Sequence, residues 1–509
     1  MMKMMKQTFV VAAVLLGALV AQGFASDSAT VMNRIASQES ELRTLQQLAW
    51  QNPAVKPLQQ SWALSSVGAS WQSRDESTAI QAQLGDRATL WAFDADTHMK
   101  HNTATLWGHA TYNNGRQHHV LWNETSQPEL LYPYLLADSV NSARINVERY
   151  AFAGGYADFK GRIAWGAHIS YEAGLYYRHV DPRPRNVTAD LQVVAGIGTP
   201  IMGSHLAALA LKFRKYKQTN DVAFYSELGS DKLFHLTGLT NDYDRFAGTG
   251  SSTYYKGYEW VIEANAQPLA GRGLAFSAQA SRFSFDNILT AFNKLPMAHL
   301  THQAVRAEAA WLSEHGWGLH AHSHLSRRVG TENIFGDAAA SVYPKIGSLD
   351  LYHENRFDVG IEGVWEHAIG RQAGIALHPA VDYHHRNETY NNPQERWLVN
   401  DMTLSLRAKG AMPMGRALCN LLVGVAWTAP TQTELTWNGV KTELASLQRL
   451  LSRDFYFASH HHTSILVRPS VNLPVGKDFA LQAAVMWLHG SYVTGVHADN
   501  VNASVAFIF

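Results

Sequence analysis

The feature that most constrains this chain is a hydrophobic period of two, repeated from Ser61 to the last residue. In the final stretch Val501, Ala503, Val505, Phe507 and Phe509 fall on one side, and Asn502, Ser504, Ala506 and Ile508 on the other. Side chains alternate across a strand, so such a stretch is a strand with one apolar face. Ile163, Trp165, Ala167, Ile169 and Tyr171 repeat the pattern against His168, Ser170 and Glu172. So do Tyr254, Tyr258, Trp260, Ile262 and Ala264 against Glu259, Glu263 and Asn265. Further apolar rows run through Phe357 to Trp365, Leu398 to Leu406, Ala417 to Trp427 and Phe479 to Trp487. Apolar side chains outside, polar ones inside and aromatics at the row ends are the pattern of an all-β, transmembrane antiparallel β-barrel. A last strand ending on Phe509 fits one that pairs with the first and closes the wall.

Composition argues against the soluble alternative. Sandwich strands also alternate, but they are shorter and turn signals come about every 8 to 12 residues. Charged residues are 17% of this chain, against about 25% in soluble domains. Lys and Arg together equal Asp and Glu at 42 each, so no global field favours nucleic acid. After the N-terminus no segment has the run of about 18 apolar residues that a membrane helix needs. A closed barrel is then the remaining way to span a bilayer.

The first residues read as a secretory signal. Two lysines within Met1 to Lys6 precede the apolar run Thr8 to Ala21, and small residues follow at Gly23 to Ala25. This order predicts cleavage near Ala25 and, with the barrel, a bacterial outer-membrane destination. Cys419 is the one cysteine, so no internal disulfide forms. Met32, Ile35, Leu42, Leu45 and Leu48 recur at helical spacing before Pro53, predicting a helix over 29–51. The expected organisation is a signal over 1–25, a helical segment over 26–57 and a barrel over 58–509. The helix either packs at the periplasmic mouth, the simpler expectation, or enters the lumen as a plug.

Turn chemistry separates the connections into two classes. Tight turns are expected at 158–161, 270–273, 314–316, 369–371 and 474–477, each containing Gly. Long loops are expected near 125–143, 215–250, 329–353 and 430–456, alternating with them. In barrels of this type short turns face the periplasm and long loops the outside. The spacing predicts about 18 strands, within a range of roughly 14 to 18.

Parity assigns Glu148, Arg162, His168, Glu172, Asp190, Glu259, Glu263, Arg306, Glu308, Asp358, Glu362, Asp401, Arg407 and Arg468 to the lumen. A one-sign ring would argue for ion selectivity. This mixture fits a weakly selective channel or a lumen closed by ion pairs. Of 25 histidines, His460 and His462 are the two clustered ones able to share a lumen side, which makes them weak metal candidates. Spacing alone lacks the geometry of a metal site, so neither a metal nor any other cofactor is expected. No catalytic motif such as GxSxG, HExxH or a phosphate loop is present, so no enzyme is expected.

The most distinctive piece runs from Gly154-Gly155-Tyr156 through Trp165-Gly166, Ser170-Tyr171 and Tyr177-Arg178 to Asp181-Pro182-Arg183-Pro184-Arg185-Asn186 and Asp190-Leu191. Two prolines stiffen an outer loop that Asp181, Arg183 and Arg185 can cross-brace. With Trp107-Gly108, Tyr112, Trp122-Asn123 and Leu131-Tyr132-Pro133-Tyr134 before it, this segment resembles an uncharacterised, porin-like outer-membrane β-barrel family of the Bacteroidota, a domain of unknown function. The resemblance implies an outer-membrane barrel and carries no substrate, cofactor or site residues.

Together these readings predict a channel or uptake component for a small solute, with outer-membrane lipids as surroundings. The second expectation is a non-conducting binding or assembly module. Its outer loops would dock a surface lipoprotein, a secreted protein or an active transporter.

Overall fold

The computed structural model describes residues 30–48, 52–59, 62–139, 144–227, 232–243, 245, 252–338, 342–370 and 373–509. The expected signal and its cleavage point lie outside these residues. The chain forms one closed 18-stranded antiparallel sheet. Its first half is β1 (Leu64–Glu76), β2 (Arg87–His101), β3 (Ala104–His118), β4 (Ile145–Lys160), β5 (Ile163–Tyr177), β6 (Arg183–Ile201), β7 (His205–Ala223), β8 (Thr253–Pro268) and β9 (Gly273–Leu289). The second half is β10 (Leu295–Leu312), β11 (Trp317–Phe335), β12 (Lys345–Ala368), β13 (Gly374–Asn391), β14 (Gln394–Met414), β15 (Ala417–Thr436), β16 (His462–Pro474), β17 (Ala480–Ser491) and β18 (His497–Ile508). Every strand pairs with its sequence neighbours. β18 closes on β1 with Val67 opposite Phe507, and the Ser65 amide donates to the Phe509 carbonyl at 2.7 Å.

The exterior is the apolar face that the period-two pattern marks. Phe93, Ile169, Leu209, Trp260, Ile262 and Leu404 all point outward and are exposed, Trp260 by 53%. A soluble protein does not leave such a continuous apolar surface bare, whereas a barrel presents it to lipid. Trp317 lies opposite Trp365 in the ladder and meets Trp311 with ring centroids 4.0 Å apart. These three sit near the short-turn end, where amphipathic rings line a membrane border. Among the described residues no helix is long and apolar enough to cross a membrane, which says nothing of strands.

The two ends differ. Tight turns occupy one end, at 161–162, 269–272, 313–316 and 475–479 among others. At the other end, long connections fold back into the lumen. Residues 119–139 and 232–243 contribute a three-stranded sheet, Leu136–Asp138, Leu233–Gly238 and Asn241–Asp242. Residues 437–461 contribute the helix Ala445–Ala458. The expected loops at 215–250 and 329–353 are shorter than read, because β7 continues to Ala223, β11 to Phe335, and β12 begins at Lys345.

The N-terminal segment is two helices rather than one, α1 (Val31–Gln38) and α2 (Glu41–Leu48). Ser40 breaks the run because its hydroxyl accepts the Arg43 amide at 3.4 Å, the position of an N-cap. A short helical turn, Pro53–Val55 with Lys56–Gln59, follows.

Candidate functional site

The lumen is covered at both ends, with a polar chamber between. At the turn end the N-terminal segment lies inside the wall. Val31, Met32 and Ile35 pack with Leu418, Ala480 and Ile508. Leu45 packs with Ala275, Ala310, Leu312 and Val364. Ala54 and Val55 pack with Ala164, Leu206 and Ala208. Burying each larger side chain contributes about 1.5–3 kcal/mol. Polar contacts fix the register: Glu366 accepts from Ser40 at 2.8 Å, and Glu39 accepts from Asn420 at 2.8 Å and Gln482 at 3.0 Å. The wall makes room for the chain with two glycines. A Cβ on Gly166 would stand 2.6 Å from the Pro53 carbonyl, and one on Gly196 would stand 2.1 Å from Asn52 Oδ1. Between the packed segment and the turns lies a recess of about 710 Å³.

At the loop end the lid is dry. Trp122, Leu131, Tyr134, Leu135, Phe234 and Leu236 pack against inward-facing Tyr216, Tyr255, Phe283, Phe285, Leu300 and Tyr352 of the wall. Trp122 and Phe234 meet at 5.0 Å between centroids, and Tyr255 donates its hydroxyl proton to the Tyr134 carbonyl at 2.9 Å. A buried charge cluster ties the lid to the rim. Arg178, in the connection after β5, donates to Glu124 at 2.6 Å and to the Pro182 carbonyl at 2.7 Å, with Asp138 at 3.6 Å.

The Ala445–Ala458 helix, here α3, closes the rest of this end. Asp454 accepts the Ala82 amide at 3.1 Å. Burial pushes its carboxyl from the ordinary 3.8 up to about 7, with Glu76 adding to the rise, the Ala82 bond opposing it and the Arg453 charge opposing it too. The docked helix therefore prefers the protonated acid. Its docking is strongest below about pH 4, weakens as pH climbs toward about 7 and is level above that. Hydrogen exchange over 445–458, corrected for intrinsic rates, should show protection falling between about pH 4 and 7. Asp454→Asn should flatten that slope; an unchanged slope would mean another group sets it.

Between the covers β12 carries four carboxylates on its inward face, Glu354, Asp358, Glu362 and Glu366, one every four residues. Each has a different neighbourhood. Glu366 holds the N-terminal segment. Glu362 bridges His320 and His378, both at 2.8 Å, with Arg407 at 3.7 Å. Asp358 sits between His384 at 2.8 Å and His324 at 3.4 Å. Glu354, beneath the lid, contacts Arg356 and has Arg328 and Arg386 each at 3.4 Å. A cavity of about 800 Å³ borders this column on the lid side, lined by Asp358, His384, Asp401, His462, Arg328 and Tyr132 among others. On the facing wall Arg214 pairs with Asp190 at 2.6 Å and Glu259 at 3.7 Å, and Arg149 with Glu172 at 3.1 Å. Arg306 and Glu308 lie 3.8 Å apart. Glu263 accepts from Asn265 at 2.7 Å, and Trp107 donates to His168 at 3.1 Å. Arg468 is exposed on the inward face of β16.

Several residues lie elsewhere than parity placed them. Glu148 falls on the outward side of β4, opposite Leu175 and beside Tyr150. The alternation inverts there because Ile145 and Val147 turn inward to pack under Val120 and Tyr176, where the lumen is dry. Arg162 belongs to the tight turn between β4 and β5 and is exposed. Arg185 is an exposed residue of β6 opposite Asp221. The brace is made by Asp181, which accepts from Arg183 at 2.6 Å and from the Tyr225 and Ser226 amides at 2.5 and 2.7 Å. His460 and His462 do not converge. His460 donates to the Tyr456 carbonyl at 2.7 Å after α3, while His462 stacks on Tyr492 at 4.9 Å. Among the described residues no group of three His, Cys, Asp or Glu could hold a metal. Reading by parity did not assign Glu354, His320, His324, His378 or His384 to the lumen. His320-x-His322-x-His324, alternating with Leu319, Ala321 and Ser323, is the signal that could have found the histidine wall.

Residues 53–509 match the sequence profile of a family described as of unknown function, DUF6850. No curated protein matches the chain. Solved structures with a similar course include the ferric preacinetobactin receptor BauA from Acinetobacter baumannii, at 9% identity and TM-score 0.41, covering 88% of this chain and 80% of that one. The ferric enterobactin receptor PfeA from Pseudomonas aeruginosa gives 8% and 0.38, covering 88% and 81%. A bacterial polysaccharide outer membrane secretin gives 8% and 0.37, covering 87% and 98%. Likenesses this distant carry no argument about function.

Proposed function

We propose that this chain, which belongs to the DUF6850 family, is an integral outer-membrane barrel that takes up a small solute through a gated lumen. The observation that carries this reading is the carboxylate column of β12 with its histidine neighbours. A barrel that serves only as a scaffold gains by filling its interior with apolar packing or closed ion pairs. Here the middle of the lumen keeps charged side chains partly exposed, His384 by 43%, Arg407 by 38% and Asp358 by 31%. Mixed charges along an aqueous wall give a solute successive, individually weak partners, which is what passage requires. The apolar exterior and the apolar run after Lys6 support residence in the outer membrane, with the tight turns toward the periplasm. The N-terminal segment gates the turn end and the folded loops gate the other.

The dry lid favours a second reading, in which the lumen stays closed and the outer loops dock a lipoprotein, a secreted protein or a transporter. Liposomes carrying the intact barrel separate the two. The expected result is entry of small polar solutes faster than into protein-free liposomes. Equal rates would overturn the uptake reading.

A further inference from the structure

We propose that the outer wall over β7 to β11 holds a phosphate-bearing membrane lipid. Lys215, Lys217, Lys256, Arg282 and Arg327 all point outward there and are exposed. Two acids point outward on these strands: Asp221, opposite Arg185 of β6, and Asp286, opposite Lys256 and bonded to His299 at 2.8 Å. On other strands of the wall some outward charges stand in pairs, as Arg87 with Asp75 at 3.1 Å and Arg396 with Glu434 at 2.7 Å. Five bases against two acids leave an excess of positive charge on these strands, and Arg282 and Arg327 have no acid opposite them in the ladder.

The height of the patch is that of a lipid headgroup. Ten residues separate Trp317, at the turn-end aromatic border, from Arg327 on the same strand. At a strand rise near 3.4 Å and the usual barrel tilt this is about 25 Å, the height of a lipid-facing apolar band. The ladder places Arg282 opposite Gln303, Gln303 opposite Arg327, and Arg327 opposite Asn355. Two guanidinium groups thus stand two strands apart, roughly 10 Å, with an amide donor between them. Guanidinium forks match phosphate oxygens in geometry as well as charge.

Below this polar row the wall turns apolar at once. Arg282, Gln303, Arg327 and Asn355 border an open recess of about 540 Å³ whose other lining includes Val305, Leu325 and Phe357. The same ladder sets Val305 opposite Leu325 and Leu325 opposite Phe357, one step toward the membrane. A polar rim over an apolar floor suits a headgroup with its acyl chain. A free phosphate would use the rim alone.

Native mass spectrometry of the full chain in detergent tests this, with phosphatidylglycerol, phosphatidylcholine and inorganic phosphate offered separately. Preferential retention of phosphatidylglycerol is expected. The double variant Arg282→Ala, Arg327→Ala should lower that retention by roughly tenfold, since each base near a membrane surface contributes appreciably to anionic-lipid binding. Arg282→Lys, Arg327→Lys should keep most of it, and heat-modifiable migration checks that each variant is a folded barrel. Equal retention in the alanine variant, or equal retention of phosphatidylcholine, would overturn the proposal. So would inorganic phosphate binding alone and displacing the lipid, which marks a free-anion site. None of these outcomes depends on whether the lumen conducts.

Discussion

Removing residues 30–59 should turn the small conductance of the intact barrel into large openings in planar bilayers. The increase in mean conductance should be on the order of tenfold, the contrast between a stoppered lumen and the aqueous channel of a roughly 16- to 18-stranded wall. The reason is positional. Within this segment Ser40 reaches β12, Asn52 reaches Asn265 of β8 at 3.0 Å, and the Pro57 carbonyl accepts Lys100 of β2 at 2.8 Å. One short stretch of chain therefore spans the turn-end mouth from wall to wall. The wall itself should still close, because its ladder is continuous without the segment. Unchanged conductance in a folded, trimmed barrel would show that this segment is not the gate.

Arg178→Ala should release the lid at the other end. Glu124 and Asp138 would be left buried without their cation, a loss of about 3–5 kcal/mol for a broken buried pair. The change should be local, because the barrel strands do not rely on this cluster for their ladder. Hydrogen exchange over 122–138 and 233–242 should accelerate by two orders of magnitude or more, roughly the factor those energies imply. Exchange in β12 and β13 should stay slow. With residues 30–59 also removed, brief openings should become persistent. Unaltered protection of the lid in the Arg178 variant would mean that the aromatic packing alone holds it.

Different parts of this molecule were legible in the sequence to different degrees. The outward rows, such as Ile163 to Tyr171 and Tyr254 to Ala264, were readable because the bilayer imposes one demand on every lipid-facing position. The lumen face was readable only where it is wet. At Glu148 the rule failed, since Ile145 and Val147 face inward beneath the lid and reverse the apolar side. The long connections were recognisable as loops, but nothing local distinguishes a loop that stays outside from one that packs Trp122 and Phe234 into the barrel. The break between α1 and α2 at Ser40 was missed for a smaller reason, as helical spacing resumes in phase after the cap.

The wall could be read from the chain: an alternating, closed, lipid-facing sheet of about 18 strands, because period two is a property each strand carries alone. Tertiary structure decided what occupies the lumen. Which carboxylates align with which histidines, and which segments fold inward, depends on the ladder register and on contacts between residues more than a hundred positions apart. Glu366 with Ser40 and Glu395 with Thr240 are two of these. Such contacts leave no periodic trace in the chain.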